Sequence, residues 1–460
     1  MSQQGLDAAT AAMRKAGVRE AAIRAFAHAY HELDAGATGL IPEGSIDPVD
    51  DIPALTGMQV SKQDAAQALD RTAVIRLNGG LGTSMGMDRA KSLLPVRGAR
   101  TFLEVVVAQV LHLRRTTGAR LPFFVMNSFR TQADSLRYLE SVTGLALPGL
   151  PLDFLQNAEP KLRTDDLTPV AWPTDPALEW CPPGHGDIFT TLYEESLLRT
   201  LLDQGYRHLL IANGDNLGAY PDGRIAGWFA ESGAPYLAEV TRRTPADRKG
   251  GHLARRRSDG CLLLRDTAQT LPEDLDHFMD ESRHPFAHCN TLWFDIAALQ
   301  ARLEQEQGVL GLALIRNEKN VDPTDPDSPR VYQLETAMGS AVSAFEGAIA
   351  LEVGRDRFLP VKTTDDLLLL RSDVYEMGED AVPRLRTERA PLVRLDERYY
   401  RRISDFEARF PAGPPSLVRA SSLTVRGDWT FGEGVRVAGH AVLEPDPAGA
   451  GHVPNASVLA

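Results

Sequence analysis

Four segments of the chain combine residue types and spacings that suit phosphate chemistry. The first is Leu77-Asn-Gly-Gly-Leu-Gly-Thr-Ser-Met-Gly86, with Lys91-Ser92 just beyond. Glycines at 79, 80, 82 and 86 let the backbone bend sharply and bring bare N–H groups against an anion, and Lys91 adds a mobile charge. The spacing fits neither the dinucleotide fingerprint nor the Walker pattern. A structural turn explains one or two of these glycines but not all of them, so phosphate binding is the expected role. The second segment is Trp180-Cys-Pro-Pro-Gly-His-Gly-Asp187, which runs into an apolar helix. A lone histidine is usually packed or solvated. His185, between Gly184 and Gly186 and ahead of a helix, is placed to touch a phosphate or a sugar, while Asp187 reads as the helix cap.

The third segment, Asn213-Gly-Asp-Asn-Leu-Gly218, follows the apolar run His208–Ala212. Taken alone, Asp215 and Asn216 read as turn residues. Two phosphate-type loops ahead of them in the same series make Asp215 a candidate Mg²⁺ carboxylate. The fourth is Arg355-Asp-Arg-Phe-Leu-Pro-Val-Lys-Thr-Thr-Asp-Asp366, where Lys362, near two arginines and two threonines, reads as an anion contact. Gln333–Thr336 reads as the start of a core helix with no chemistry.

These loops need rigid strands behind them. β-rich runs occur at Ala73–Leu77, Pro122–Met126, His208–Ala212, Tyr236–Val240 and Thr291–Phe294, with helical patterns over 101–115, 186–204, 333–348 and 365–371. Their alternation predicts a mainly parallel sheet covered on both faces, with ligands at the carboxyl ends of the strands. Residues 6–34 read as one or two amphipathic helices, followed by a Pro/Gly/Asp-rich connector from Gly36 to Pro53. After a helix near Asp405–Phe410, the stretch from Leu423 to Leu443 alternates apolar residues with recurring glycines. Stacked solenoid coils and a plain hairpin account for that pattern equally well.

A chain of 460 residues exceeds one growing core, so two or three domains are expected. The net charge of -13 argues against nucleic acid as the main partner, though an acidic protein can still hold a basic pocket. Cys181, Cys261 and Cys289 lie too far apart for a zinc spacing and suggest no disulfide framework. With no signal-peptide pattern and no apolar run of membrane-spanning length, a cytoplasmic location is expected.

Together, LNGGLGTSMG, PPGHGD and FLPVKTT resemble the eukaryotic-type UTP–glucose-1-phosphate uridylyltransferases, the UDP-glucose pyrophosphorylases. The resemblance runs from about Leu40 to Leu443 and includes Val125-Met-Asn-Ser128, Gly250-Gly251 and Asn290-Thr-Leu-Trp293. Related UDP-N-acetylhexosamine pyrophosphorylases usually carry arginine after the glycine–threonine pair. Ser84 and Met85 here favour the glucose branch. The resemblance implies an α/β fold: a central mixed, mainly parallel Rossmann-like nucleotidyltransferase domain (54–385), an N-terminal helical segment (1–53) and a short C-terminal left-handed β-helix (386–460). It implies that Leu77, Asn78, Gly79 and Gly80 line uracil and ribose, that Gln156 contacts uracil and that Gly184 packs on the nucleotide. His185 would contact the sugar phosphate, Asn290 would bind substrate, and Asn213, Gly214 and Asp215 would meet the substrates. Asp215 would also bind Mg²⁺, while Lys91 and Lys362 would neutralise the phosphates.

The implied reaction is in-line attack of a sugar 1-phosphate on the α-phosphate of UTP. Galactose 1-phosphate or N-acetylglucosamine 1-phosphate is an alternative acceptor, and a catalytically silent UDP-sugar-binding protein is an alternative of another class. The sequence departs from the family at Ala90, where proline is usual, and at Thr291, where a second asparagine is usual. It also stops soon after the first β-helix coils, so the assembly of eukaryotic relatives is not carried over.

Overall fold

The computed structural model describes residues 2–244, 247, 250–446 and 449–460. Its centre is a 10-stranded mixed sheet. Three strands expected from the sequence lie side by side and parallel: His208–Asn213 beside Thr72–Asn78, and Thr72–Asn78 beside Phe123–Asn127. The short strand Asp153–Leu155 extends this parallel set. The three long runs are mostly apolar because both faces are covered, with the buried Arg76 the charged exception. Val74, Val125 and Leu210 face the core that contains Phe102 and Val106. Their neighbours Ile75, Phe124 and Ile211 face the opposite core with Ile188 and Leu201.

The sheet is more evenly mixed than the strand–helix alternation predicts. The long strand Phe286–Asp295 runs antiparallel to both His208–Asn213 and Tyr236–Arg242. Tyr236–Arg242 in turn pairs parallel with Ile349–Glu352. The helix Phe102–Thr117 starts at a capping box, Thr101 with Glu104, and ends at Gly118 in the left-handed conformation. The 186–204 pattern forms two helices, Asp187–Glu194 and Leu197–Asp203, separated at Ser196 with φ 54°. The N-terminal pattern likewise forms two, Ser2–Lys15 and Glu20–Asp34.

The helix expected over 333–348 is absent. Arg330–Thr336 is a strand, antiparallel to Leu314–Asn320, and Met338–Ala344 is a 3-10 helix. The misreading has a physical source. Val331 and Leu334 are the buried residues of the strand, and Met338, Ala341, Val342 and Phe345 follow at helical spacing.

In the tail, Leu392–Leu395, Ser416–Val425, Arg436–Leu443 and Val458–Leu459 pair in parallel, as do Trp429–Phe431 and Gly451–Val453. Parallel neighbours exclude a hairpin and match stacked coils, the β-helix that the resemblance implies. Among the described residues no helix is long and apolar enough to cross a membrane.

Candidate active site

Because Thr72–Asn78, Phe123–Asn127, Asp153–Leu155 and His208–Asn213 run in one direction, their carboxyl ends share an edge. The loops beginning at Gly79, Ser128, Gln156 and Gly214 therefore leave the sheet together. Leu77 lies beside Asn213, and its carbonyl accepts the Gly214 N–H at 3.0 Å. Asn78 is buried and donates Nδ2 to Asn127 Oδ1 (2.7 Å) and Ser135 Oγ (2.8 Å), so it braces two strand ends. Ser128 Oγ donates to the Gly79 carbonyl at 3.1 Å. Gln156 lies directly across Gly79: a Cβ there would stand 2.7 Å from Gln156 Oε1. Two segments far apart in sequence thus form one corner.

Gly80 accepts the Lys91 N–H at 3.1 Å, which folds the loop back on itself. Ala90 has φ -53°, within the range that proline would impose, so the loop keeps the path a proline would set. The Lys91 ammonium donates to Asp215 Oδ2 at 2.6 Å and to the Val361 carbonyl. Both side chains of this ion pair are about a fifth exposed, at 19% and 20%. Lys362, the next residue after Val361, is exposed and forms no ion pair among the described residues. Its backbone N–H donates to Asp366 Oδ2 at 2.8 Å, beside the Thr363–Asp366 capping box that starts the helix Thr364–Arg371. Burial raises the Asp266 carboxyl, and the charge of Lys362 partly offsets this.

Gly184 has φ 79°, and a Cβ there would meet the Thr336 carbonyl oxygen at 2.6 Å. The strand that replaces the expected helix therefore clamps the Pro-Pro-Gly-His-Gly loop: Gly186 N–H donates to the Thr336 carbonyl (2.8 Å), and Thr336 N–H donates to that of Pro183 (3.0 Å). His185 Nδ1 accepts the Met338 N–H at 2.9 Å, which leaves the other ring nitrogen to carry the proton. Burial pushes its imidazole down to about 4. His288 is also lowered to about 4, by burial first and by the charge of His185 in addition. Asn290, with φ 50°, donates its N–H to His288 Nδ1 at 3.1 Å. Asn290 Oδ1 and His288 Nε2 are buried and have no hydrogen-bond partner among the described residues.

Asp187 does not cap its helix, whose N-cap is Gly186. Its carboxylate instead accepts the Asn157 N–H (2.6 Å) and Nδ2 (2.9 Å), which anchors the residue after Gln156. Sequence reasoning also passed over Thr336, His288 and Asp266. None sits in a glycine-rich pattern, and the strand that ends at Thr336 was read as a helix, so only the fold brings them to the site.

Among the described residues no group of three or more His, Cys, Asp or Glu side chains is arranged to hold a metal ion. Asp215 alone still fits Mg²⁺, which takes one or two carboxylates and completes its shell with water and substrate phosphates. Its Oδ2 takes Lys91, and its Oδ1 has no hydrogen-bond partner among the described residues.

The family model for UTP–glucose-1-phosphate uridylyltransferase matches residues 21–438. A probable UTP–glucose-1-phosphate uridylyltransferase of Schizosaccharomyces pombe is 36% identical over 85% of this chain and 76% of its own length. The Saccharomyces cerevisiae enzyme is 36% identical over 85% of this chain and 77% of its own. A variant of UDP-glucose pyrophosphorylase from Leishmania major, solved in complex with UDP-glucose, superposes with TM-score 0.93 at 39% identity, over 99% of this chain and 98% of that one. A Trypanosoma brucei UDP-glucose phosphorylase superposes with TM-score 0.92 at 40% identity, over the same shares. With a family match across nearly its whole length and the strand-end loops set on one edge, the chain belongs to the UTP–glucose-1-phosphate uridylyltransferase family.

Proposed function

We propose that the protein transfers the uridylyl group of UTP to glucose 1-phosphate, giving UDP-glucose and pyrophosphate. The observation that carries this reading is the meeting of Lys91, Asp215 and the Val361 carbonyl at the strand ends, with Lys362 next in the chain. A phosphate oxygen of the sugar attacks the α-phosphorus of UTP, and the bond from that phosphorus to the bridging oxygen of the β-phosphate breaks. Both reactants are already ionised, so no general base is needed and the work is positioning and charge neutralisation. Leu77, Asn78, Gly79, Gly80 and Gln156 hold uracil and ribose. Gly184 packs on the nucleotide, and neutral His185 donates from its free ring nitrogen to the sugar phosphate. Asn213 and Gly214 meet the substrates, Asn290 takes the sugar with His288 beside it, and Lys91 and Lys362 neutralise the phosphates. Asp215 would hold Mg²⁺, which would supply further charge neutralisation.

The test is pyrophosphate release from UTP and Mg²⁺ with glucose 1-phosphate, galactose 1-phosphate or N-acetylglucosamine 1-phosphate. Fast release with glucose 1-phosphate alone is expected. Equal rates with galactose 1-phosphate widen the acceptor class, and no release with any sugar replaces the enzyme by a UDP-sugar-binding protein. Lys91→Ala and Lys362→Ala are each expected to lower kcat/KM by about 10²-fold, as for other electrostatic catalytic groups.

A further inference from the structure

The stretch that ends at Lys362 is exposed at its tip but strapped down along its length. Arg357 is buried and pairs with Glu239 through Nε (2.6 Å) and a terminal nitrogen (2.8 Å). Glu239 also accepts the Trp293 indole N–H at 2.9 Å. From the Asp215 loop the side chain of Asn216, 1% exposed, reaches the backbone of this stretch. Its Nδ2 donates to the Arg357 carbonyl at 3.1 Å, and its Oδ1 accepts the Leu359 N–H at 2.9 Å. A backbone bridge joins Asn216 to Pro360. Val361, next along, gives its carbonyl to Lys91. The Asp215 loop is itself held from beneath by Arg76, which donates to the carbonyls of Asn213 (3.2 Å), Asn216 (3.3 Å) and Ala219 (2.6 Å).

Turn formation does not require this arrangement. An Asn in a turn needs one acceptor bond to the backbone two residues on, and Asn216 makes that bond to the Gly218 N–H at 3.1 Å. The other two bonds run to residues 141 and 143 positions away. They fix both the lateral position and the register of the 357–361 stretch, because donor and acceptor of one planar amide engage a carbonyl and an N–H two residues apart. We infer that Asn216 is a positioning residue that sets Lys362 against the Asp215 loop, an inference that rests on the phosphate role proposed for Lys362. The expected sensitivity is high, since misplacing a charged group by about 1 Å costs up to about 10²-fold in rate.

Asn216→Ser separates the two roles. A serine oxygen still accepts from the Gly218 N–H in the turn but is too short to reach residues 357–359. Calorimetric affinity for UTP is expected to stay within about threefold of the parent, while kcat falls about 10- to 100-fold. In the Lys362→Ala background the same change is expected to cost no more than about a further threefold, because the group it positions is already gone. Parental kcat in Asn216→Ser, or losses that multiply in the double variant, overturns the inference. Should melting show that Asn216→Ser does not fold, Asn216→Asp keeps the shape and both accepted bonds and carries the same cycle, with multiplying losses again the overturning result. Parental turnover in Lys362→Ala alone removes the role proposed for Lys362 and this inference with it. An impaired Lys362→Ala beside a parental Asn216→Ser removes Asn216 only.

Discussion

His185 and His288 owe their charge state to where they are buried. Each has its imidazole held near 4 where an exposed histidine titrates near 6.5, and each uses Nδ1 as an acceptor of a backbone N–H, which only the unprotonated nitrogen can be. Between those values the unfolded chain binds protons that the folded one does not, so stability rises with pH there. The contribution of these histidines is complete above about pH 6.5 and is lost as pH falls toward 4. Melting temperature measured from pH 4 to 8 is expected to climb and then level off, with a shallower climb in His288→Asn, whose Oδ1 imitates the acceptor. An unchanged climb in that variant would clear His288 of the effect. Two glycines at the site predict opposite outcomes. The Cβ of Gly79→Ala meets only the movable end of Gln156, so stability is expected to hold while UDP-glucose affinity weakens about 10-fold, by about 1.4 kcal/mol. The Cβ of Gly184→Ala meets a backbone carbonyl of a paired strand at φ 79°, so both fold stability and activity are expected to drop. Thermal melts beside calorimetric titration separate the two cases.

At the scale of elements, local pattern and tertiary setting disagree in two places, and the second shapes the loop that carries His185. The apolar run from Ile188 to Leu202 has one uninterrupted helical period, yet the chain breaks at Ser196 in the left-handed region. The break lets Ile188 and Leu201 pack into one core from separate helices. A non-glycine residue pays about 1 kcal/mol for that conformation, so Ser196→Gly is expected to raise the melting temperature with no change in kcat. A lower melting temperature would mean that the Ser196 side chain stabilises the junction. The second place is Arg330–Thr336. Its edge bonds go to Leu314–Asn320 and to Leu162–Arg163, partners that no local period reveals.

Across the whole molecule, the core beneath the site is continuous with the tail. Val74 and Trp293 of the central sheet belong to the same buried cluster as Leu417, Phe431 and Val437 of the parallel coils. Phe431 is fully buried and stacks on Phe410 with ring centroids 4.7 Å apart. Coils joined this way are expected to melt with the catalytic sheet in one calorimetric transition. Phe431→Ala is expected to lower that single transition by about 3–5 kcal/mol, the usual cost of emptying a buried Phe site. An early separate transition in the variant would show instead that the coils unfold alone.

The strands at 72–78, 123–127 and 208–213 were legible in the sequence because strands buried on both faces are mostly apolar, a local property that the single Arg76 does not hide. The glycine-rich loop and the Pro-Pro-Gly-His-Gly loop were legible as loops for a related reason: left-handed backbone at Gly82, Gly86 and Gly184 restricts residue type at those positions. Pairing partners were not legible. The antiparallel course of Phe286–Asp295 and the seat of Thr336 against Gly184 depend on contacts between distant segments, which leave no periodic mark, and the alternation in the tail left coils and a hairpin open until its parallel pairing decided for coils. Asn216 shows the division within one residue. Its bond to Gly218 follows from the local sequence, while its bonds to Arg357 and Leu359 exist only because folding brings the two segments together.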